Sequence, residues 1–298
     1  MLTRGMERTV SIIGAGRVGR SLGRALRERG WRIGAVVTRS MASARASVRA
    51  IGGGTPLAGG VTADELAADV VLIATPDDAI DSVARQLARV SRGKLRGKIV
   101  LHTSGALDRS VLAPLARRGA ATGSLHPMQT FSDKRVPRLD GIVFAIEGDA
   151  RARRVARAMA RPLGGVPIEI SGQNKPAYHA AGVLAAGHAL ALIESATQIL
   201  TRIGFPRRRA EQTLLPLIKQ MLDNFERIGP RAAWTGPVAR GDYAVVAKHM
   251  RALKKYPQEF AEAYAALARL GARTLSGDPR KALREVDKAL KNFRGGKS

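Results

Sequence analysis

Six residues near the start of the chain, Gly14-Ala15-Gly16-Arg17-Val18-Gly19, restrict its fold more than any other feature. They follow a strand-length apolar run, Thr9–Ile13, and open a helical pattern over Arg17–Arg29. A second apolar run, Ile33–Thr38, comes next. In a turn of this kind the first glycine permits the tight bend and the second lets a ligand approach the backbone. The third lets the helix pack against the strand. The first N–H groups of the helix have no partner within it and face whatever anion lies there. The spacing therefore predicts a β-α-β unit over residues 8–40 that holds a dinucleotide pyrophosphate. Gly14, Gly16, Arg17, Val18 and Gly19 are its phosphate-binding residues.

The end of the second run refines that expectation. A site for NAD carries Asp or Glu at this strand end to bind the ribose 2′-hydroxyl, and a carboxylate there would repel a 2′-phosphate. The chain instead has Thr38, Arg39 and Ser40, two hydroxyls around a guanidinium, a donor set suited to a phosphate dianion. The expected cofactor is NADP(H).

The same alternation continues to the middle of the chain. Apolar runs at Val70–Ala74, Ile99–His102, Thr122–Leu125, Ile142–Ile146 and Val166–Ile170 read as strands covered on both faces. Helical patterns at Asp77–Val90 and Arg109–Arg118 lie between them. This rhythm predicts an α/β, Rossmann-type, mostly parallel sheet over residues 1–171. From Pro176 to Ile203 runs a long pattern rich in Ala and Leu, stopped by Gly204. Further helices are expected at Arg208–Arg227, Tyr243–Lys248, Gln258–Leu270 and Pro279–Asn292. Residues 172–298 are thus expected to form an all-helical domain for substrate binding and dimerisation.

With 298 residues the chain has room for both domains. It contains no Cys, which excludes disulfides, a thiol nucleophile and a Cys-based zinc site. Fifty Lys and Arg against 24 Asp and Glu give a net charge of +26. The basic residues are spread along the chain, only six Phe, four Tyr and two Trp are available for stacking on bases, and no nucleic-acid motif appears. Nucleic acid is therefore not the expected partner, although the positive field would draw in anionic ligands. The apolar stretch nearest to a membrane span, Ala180–Ile193, contains His188 and ends at Glu194. The N-terminal apolar run lacks a cleavage pattern. These features predict a cytoplasmic protein without a membrane partner.

Ligands of such sheets bind in the loops beyond the strand ends. Thr75-Pro76 should form a rigid turn under the cofactor, and the loops bearing Ser104 and His126 should position substrate or nicotinamide. Reduction of a carbonyl also needs a group that protonates or polarises the developing alkoxide. Lys175 and His179 lie one helical turn apart at the start of the long helix and so share a face. Gly182 and Ala186 continue that face and should leave space for a ligand. His188 lies on roughly the opposite side of a straight helix from His179, so no metal site is expected. Arg240, in the Thr235–Asp242 connector, is a candidate anchor for an acidic substrate group.

The runs His102–Ala106 (HTSGA), Leu125–Phe131 (LHPMQTF), Tyr178–Ala181 (YHAA) and Thr235–Asp242 (TGPVARGD) carry a resemblance. The chain resembles a family of the 6-phosphogluconate-dehydrogenase-like superfamily that pairs a Rossmann-like domain with a helical C-terminal domain of unknown function. Its members are commonly labelled NADP- or coenzyme-F420-dependent oxidoreductases, and some resemble ketopantoate reductases. In related β-hydroxyacid dehydrogenases the long helix carries a Lys-x-x-x-Asn pair. The resemblance thus implies a catalytic lysine at Lys175, with His179 replacing the asparagine, and a homodimer formed through the helical domains. The expected activity is NADP(H)-dependent reduction of a small, anionic carbonyl compound such as 2-dehydropantoate, with Lys175 as proton donor or polariser. Alternatives are an imine or F420 reductase on the same scaffold, or a non-catalytic NADP-binding regulatory protein.

Overall fold

β1 (Thr9–Ile13) is buried along its whole length, as a strand covered on both faces must be. On one face Ile12 joins the cluster that holds Leu22 and Leu26 of α1 (Arg17–Glu28). On the other, Ile13 joins Val71, Ile73, Ile80 and Leu87. The computed structural model describes residues 8–93, 95–132 and 137–294. They fall into two compact units, one ending at Gly187 and one beginning at His188.

Beside β1 the first unit carries β2 (Arg32–Thr38), β3 (Thr55–Ala58), β4 (Val70–Ile73), β5 (Ile99–His102), β6 (Ala121–Pro127), β7 (Val143–Gly148) and β8 (Val166–Glu169). They form one sheet in the order β3-β2-β1-β4-β5-β6-β7-β8. Neighbours are parallel except β6 and β7, which run antiparallel. The chain moves outward from β1 to β3 and then returns to β4 on the other side. The strand order reverses between β1 and β4, and it is outside the carboxyl ends of such strands that a crevice opens.

The expected strands are all present, but two elements went unread. α2 (Met41–Ile51) and β3 follow Ser40. The N–H of Ser43 donates to the hydroxyl of Ser40, which caps α2. β3 contains Pro56, tolerated because it lies at the sheet edge. α3 (Asp77–Val90) runs as expected. The helix expected over Arg109–Arg118 is instead a 3₁₀ turn, Arg109–Leu112, and the short α4 (Ala113–Ala116). α5 (Ala150–Ala160) is capped by Asp149, whose carboxylate accepts from the N–H groups of Arg151 and Ala152. α6 (Lys175–Val183) closes the unit. The segment 172–187, read from the sequence with the helical half, thus falls in the unit that holds the sheet.

The second unit is helical. It contains α7 (Ala189–Arg202), α8 (Arg207–Ala233), α9 (Pro237–Arg240), α10 (Tyr243–Leu253), α11 (Gln258–Thr274) and α12 (Pro279–Arg294). Val246, Met250, Ala261, Ala272, Val286 and Leu290 form its core. Alanines allow the close approach, and Gly271 does so again where a Cβ would lie 3.3 Å from the Trp234 ring. α8 extends past its expected end but breaks at Gly229, whose φ of 78° is non-helical, before Pro230.

The long helix departs from expectation in two respects. Residues Leu184–His188 form a π-helical turn between α6 and α7. The run Gly172–Arg202 also has the length and composition of a membrane-crossing helix, the one such run among the described residues, and only 6% of its most apolar window is buried. A single such helix is weak evidence for a membrane, and an interface between protein chains makes the same demand for apolar surface.

Candidate active site

The glycine turn has the geometry its spacing calls for. Gly14 has φ of +89°, and a Cβ there would lie 2.6 Å from the Thr75 backbone nitrogen. A Cβ on Gly19 would lie 2.4 Å from the Gly14 carbonyl oxygen. A Cβ on Gly16 would meet nothing within 4 Å. Two glycines are thus required by the protein's own packing, and the middle one is required by none of it. α1 starts at Gly16 with no side-chain cap and no acidic residue in its first turn. The Thr75 hydroxyl beside this turn is buried and has no hydrogen-bond partner among the described residues. An open cradle, an uncapped helix start and an orphaned hydroxyl fit a dinucleotide pyrophosphate.

These residues border a cavity of about 480 Å³. Gly16, Arg17, Val18, Thr75 and Pro76 line one part of it, and Ser104, Gly105, His126, Phe131 and His179 another. Eight candidates drawn from five separate stretches of sequence therefore share one wall. Thr38, Arg39 and Ser40 lie apart from it, at the end of β2. There the Thr38 hydroxyl donates to the Ser40 carbonyl at 2.8 Å, and the Ser40 hydroxyl caps α2. Both hydroxyls have local work, whereas the Arg39 side chain is exposed.

The loop after β5 is held from several directions. The Ser104 hydroxyl donates to Asp77 Oδ2 at 2.8 Å and accepts the N–H groups of Ala106 and Leu107. That hydroxyl therefore fixes the turn. The Ser104 N–H donates to His102 Nδ1 at 3.2 Å, which leaves the ring's proton on Nε2, facing the Asp108 carbonyl. Burial and the nearby Lys175 push the His102 pKa down to about 3, so the ring is neutral.

Lys175 lies beneath this wall rather than on it. The residue is 0% exposed, and its Nζ donates to the Ser104 carbonyl at 2.9 Å and to Ser124 Oγ at 2.8 Å. Burial pulls its pKa down to about 8, while the carboxylates of Glu147, Asp108 and Asp77 act in the opposite direction. Burial in turn pushes the Glu147 carboxyl up. Glu147 stands opposite Ser124 in the β6–β7 register. No spacing rule would have found Ser124 or Glu147, because only the strand pairing brings them to Lys175.

The two histidines that line the cavity converge. A Cβ on Gly105 would lie 2.5 Å from His179 Nδ1 and 2.8 Å from His126 Nε2. The rings meet edge to face with centroids 5.8 Å apart. His126 Nδ1 lies 3.1 Å from the Tyr178 hydroxyl, a contact the sequence reading did not anticipate. Burial pushes Tyr178 up to about 12 and, with Lys175 and His179 nearby, His126 down to about 4. The space expected beside Gly182 is taken, since a Cβ there would lie 2.7 Å from Met128 Sδ. Arg240 stays within its own turn, on Asp242 at 3.0 Å and the Thr235 carbonyl at 2.7 Å. Among the described residues no cluster of three or more His, Cys, Asp or Glu is placed to hold a metal.

Comparison with known families places this arrangement. The Rossmann-like domain family matches residues 3–127, and a domain of unknown function, DUF2520, matches residues 142–270. The first part of the chain is thus similar to the Rossmann-like family and the second part to DUF2520. The DUF2520 match begins with β7, so it contributes strands β7 and β8 to the sheet as well as α6 and the following helices. No protein with a curated description matches the sequence.

Solved structures share the fold over almost the whole chain. A Thermotoga maritima protein is 26% identical, with a TM-score of 0.64, over 95% of this chain and 99% of its own. A Bacteroides fragilis protein provisionally described as an NADP oxidoreductase is 23% identical, with a TM-score of 0.72, over 93% and 98%. An imine reductase from Myxococcus stipitatus, solved with NADP+, is 20% identical, with a TM-score of 0.63, over 95% and 99%.

Proposed function

We propose that this protein is an NADP(H)-dependent oxidoreductase that reduces a small carbonyl or imine compound in the cavity beside Gly105. The observation that carries this reading is the glycine turn. Gly16 presents bare backbone to a cavity whose lining also includes Thr75, with its orphaned buried hydroxyl, and two histidines. The bound cofactor would supply a hydride, and the chain's own groups would orient the substrate and provide a proton. Similarity of fold to an NADP oxidoreductase and to an imine reductase supports the same class of reaction.

Residues Gly16–Gly19 would hold the pyrophosphate on the first turn of α1. The exposed Arg39 would pair with the 2′-phosphate as a charge-assisted donor. Thermal-shift titration should show protection by NADPH, and Arg39→Glu should lower the preference for NADPH over NADH at least 10-fold. No protection by either cofactor would refute the reading.

Beside Gly105 the cavity is lined by imidazoles; the arginine that lines the same cavity, Arg17, belongs to the glycine turn, and Arg240 is engaged locally. This supports a substrate held by hydrogen bonds, whether a carbonyl or an imine. 2-Dehydropantoate, whose carboxylate wants a cation, belongs in the assay panel as the anionic case. Turnover of neutral ketones, cyclic imines and 2-oxo acids, compared in one panel, decides the substrate class.

The helical unit also has an unpaired apolar face. Leu217, Met221, Phe225 and Ile228 recur at helical spacing on α8 and are 48–67% exposed. A second copy of the chain is the partner we assign to it, because one α8 stripe can cover another across a two-fold axis. Light scattering should give a dimer, and Phe225→Glu should shift it toward monomer by at least 10-fold in dissociation constant. A wild-type monomer would overturn the assignment.

A further inference from the structure

Reduction consumes a proton as well as a hydride, and the sequence alone points to Lys175 as its source. The structure leads elsewhere. The lysine amine is sealed between the Ser104 carbonyl and the Ser124 hydroxyl and has no exposed surface. A substrate in the cavity meets His126 and His179. We infer that His179 is the proton donor of the reaction and that His126 holds the substrate heteroatom as a neutral hydrogen-bond donor. This inference rests on the reading of the protein as a reductase and goes a step past it.

The division of labour follows from the partners of each ring. Tyr178 keeps its proton, so its hydroxyl can donate to His126 Nδ1 at 3.1 Å. With the hydroxyl as donor, the ring proton of His126 sits on Nε2, the nitrogen beside Gly105. His126 can then donate a hydrogen bond into the cavity without giving up a proton, and its depressed basicity supports that role. The His179 ring has no hydrogen-bond partner among the described residues, is half-buried and lines the same cavity. Its Nδ1 lies near the same point beside Gly105 as His126 Nε2, close enough for both to reach one heteroatom. Gly105 is what admits them, because any side chain there would occupy that point.

The step balances as follows. The substrate carbon gains the hydride, and the π pair moves onto its oxygen or nitrogen. That atom takes the proton from Nδ1 of protonated His179. The neutral imidazole regains a proton from solvent.

The test combines turnover with two measurements that do not depend on it. His179→Gln should lower kcat by 100-fold or more, while NADPH affinity, read by fluorescence titration, stays within about 3-fold. In ¹⁵N spectra of the cofactor-free protein His126 should carry its proton on Nε2, and Tyr178→Phe should shift the tautomer balance toward Nδ1. A His179→Gln protein with kcat within 3-fold of wild type would overturn the inference. So would loss of NADPH binding in that variant, or a His126 proton on Nδ1 in the wild type. If the wild type itself fails to bind NADPH, the reductase reading fails, and the tautomer measurement still judges the geometry.

Discussion

Gly16→Ala and Gly14→Ala should separate binding from folding at the cofactor turn. In Gly16→Ala the new methyl group meets no protein atom within 4 Å, so the melting temperature should stay within about 2 °C of wild type. The methyl projects into the space assigned to the pyrophosphate, and NADPH affinity should fall at least 100-fold, about 2.7 kcal/mol. In Gly14→Ala the backbone must hold an alanine at φ of +89° with its Cβ 2.6 Å from the Thr75 nitrogen. The left-handed conformation alone costs about 1–2 kcal/mol, and the contact forces the β4–α3 turn to move. Gly14→Ala should therefore lose both stability, by about 1–3 kcal/mol, and NADPH binding. Thermal melts and fluorescence titrations on the two variants decide it. Equal NADPH affinity in wild type and Gly16→Ala would remove the cavity from consideration as a dinucleotide site.

Much of the sheet was legible because its strands are buried on both faces. Runs such as Thr9–Ile13 and Ile99–His102 are buried along their whole length and have no exposed face to confuse the period. α2 lacked that contrast: only Ala44, Ser47 and Ile51 of its residues are buried, so no apolar stripe announces it. β3 is four residues long and contains a proline, both signs that speak against a strand away from an edge. The reversal of β7 was out of reach, since an apolar run carries no direction. The π-helical turn at Leu184–His188 likewise depends on packing that a 3.6-residue periodicity does not encode.

The site was legible in its parts and not in its assembly. The glycines could be read because each answers to a local rule, and two of the three meet their own backbone. His126 and His179 were both marked as candidates, yet their convergence over Gly105 depends on where α6 lies against β6. Lys175 shows the limit most clearly. A lysine at a helix start reads either as solvated or as a reactive amine. Its actual place, wholly buried on the Ser104 carbonyl and Ser124, depends on two neighbours more than fifty positions away in sequence. The carboxylates that act on it, Glu147, Asp108 and Asp77, come from β7, the loop after β5 and the start of α3.

That burial makes Lys175 a measurable influence on stability. In the unfolded chain a lysine holds its proton up to about pH 10.5, whereas in the folded protein burial lets it go at about 8. Between those values the unfolded chain binds more protons, so stability from this group rises with pH. The ammonium form carries the burial penalty, which is present in full below pH 8 and is relieved as the pH climbs toward 10.5. Each unit of separation corresponds to about 1.4 kcal/mol, so the full gain approaches about 3 kcal/mol. His102 and His126, which also face the amine, are neutral throughout this window and add no slope. The carboxylates of Glu147, Asp108 and Asp77 act on the amine in the direction opposite to burial. Lys175→Met removes the titrating group while keeping a flexible side chain of similar length in the buried channel. Urea denaturation from pH 7.5 to 10.5 should show wild type gaining stability relative to Lys175→Met as the pH rises. Two parallel curves over that range would mean that the folded lysine keeps its proton as the unfolded one does. The amine would then be solvated rather than sealed beneath the cavity wall.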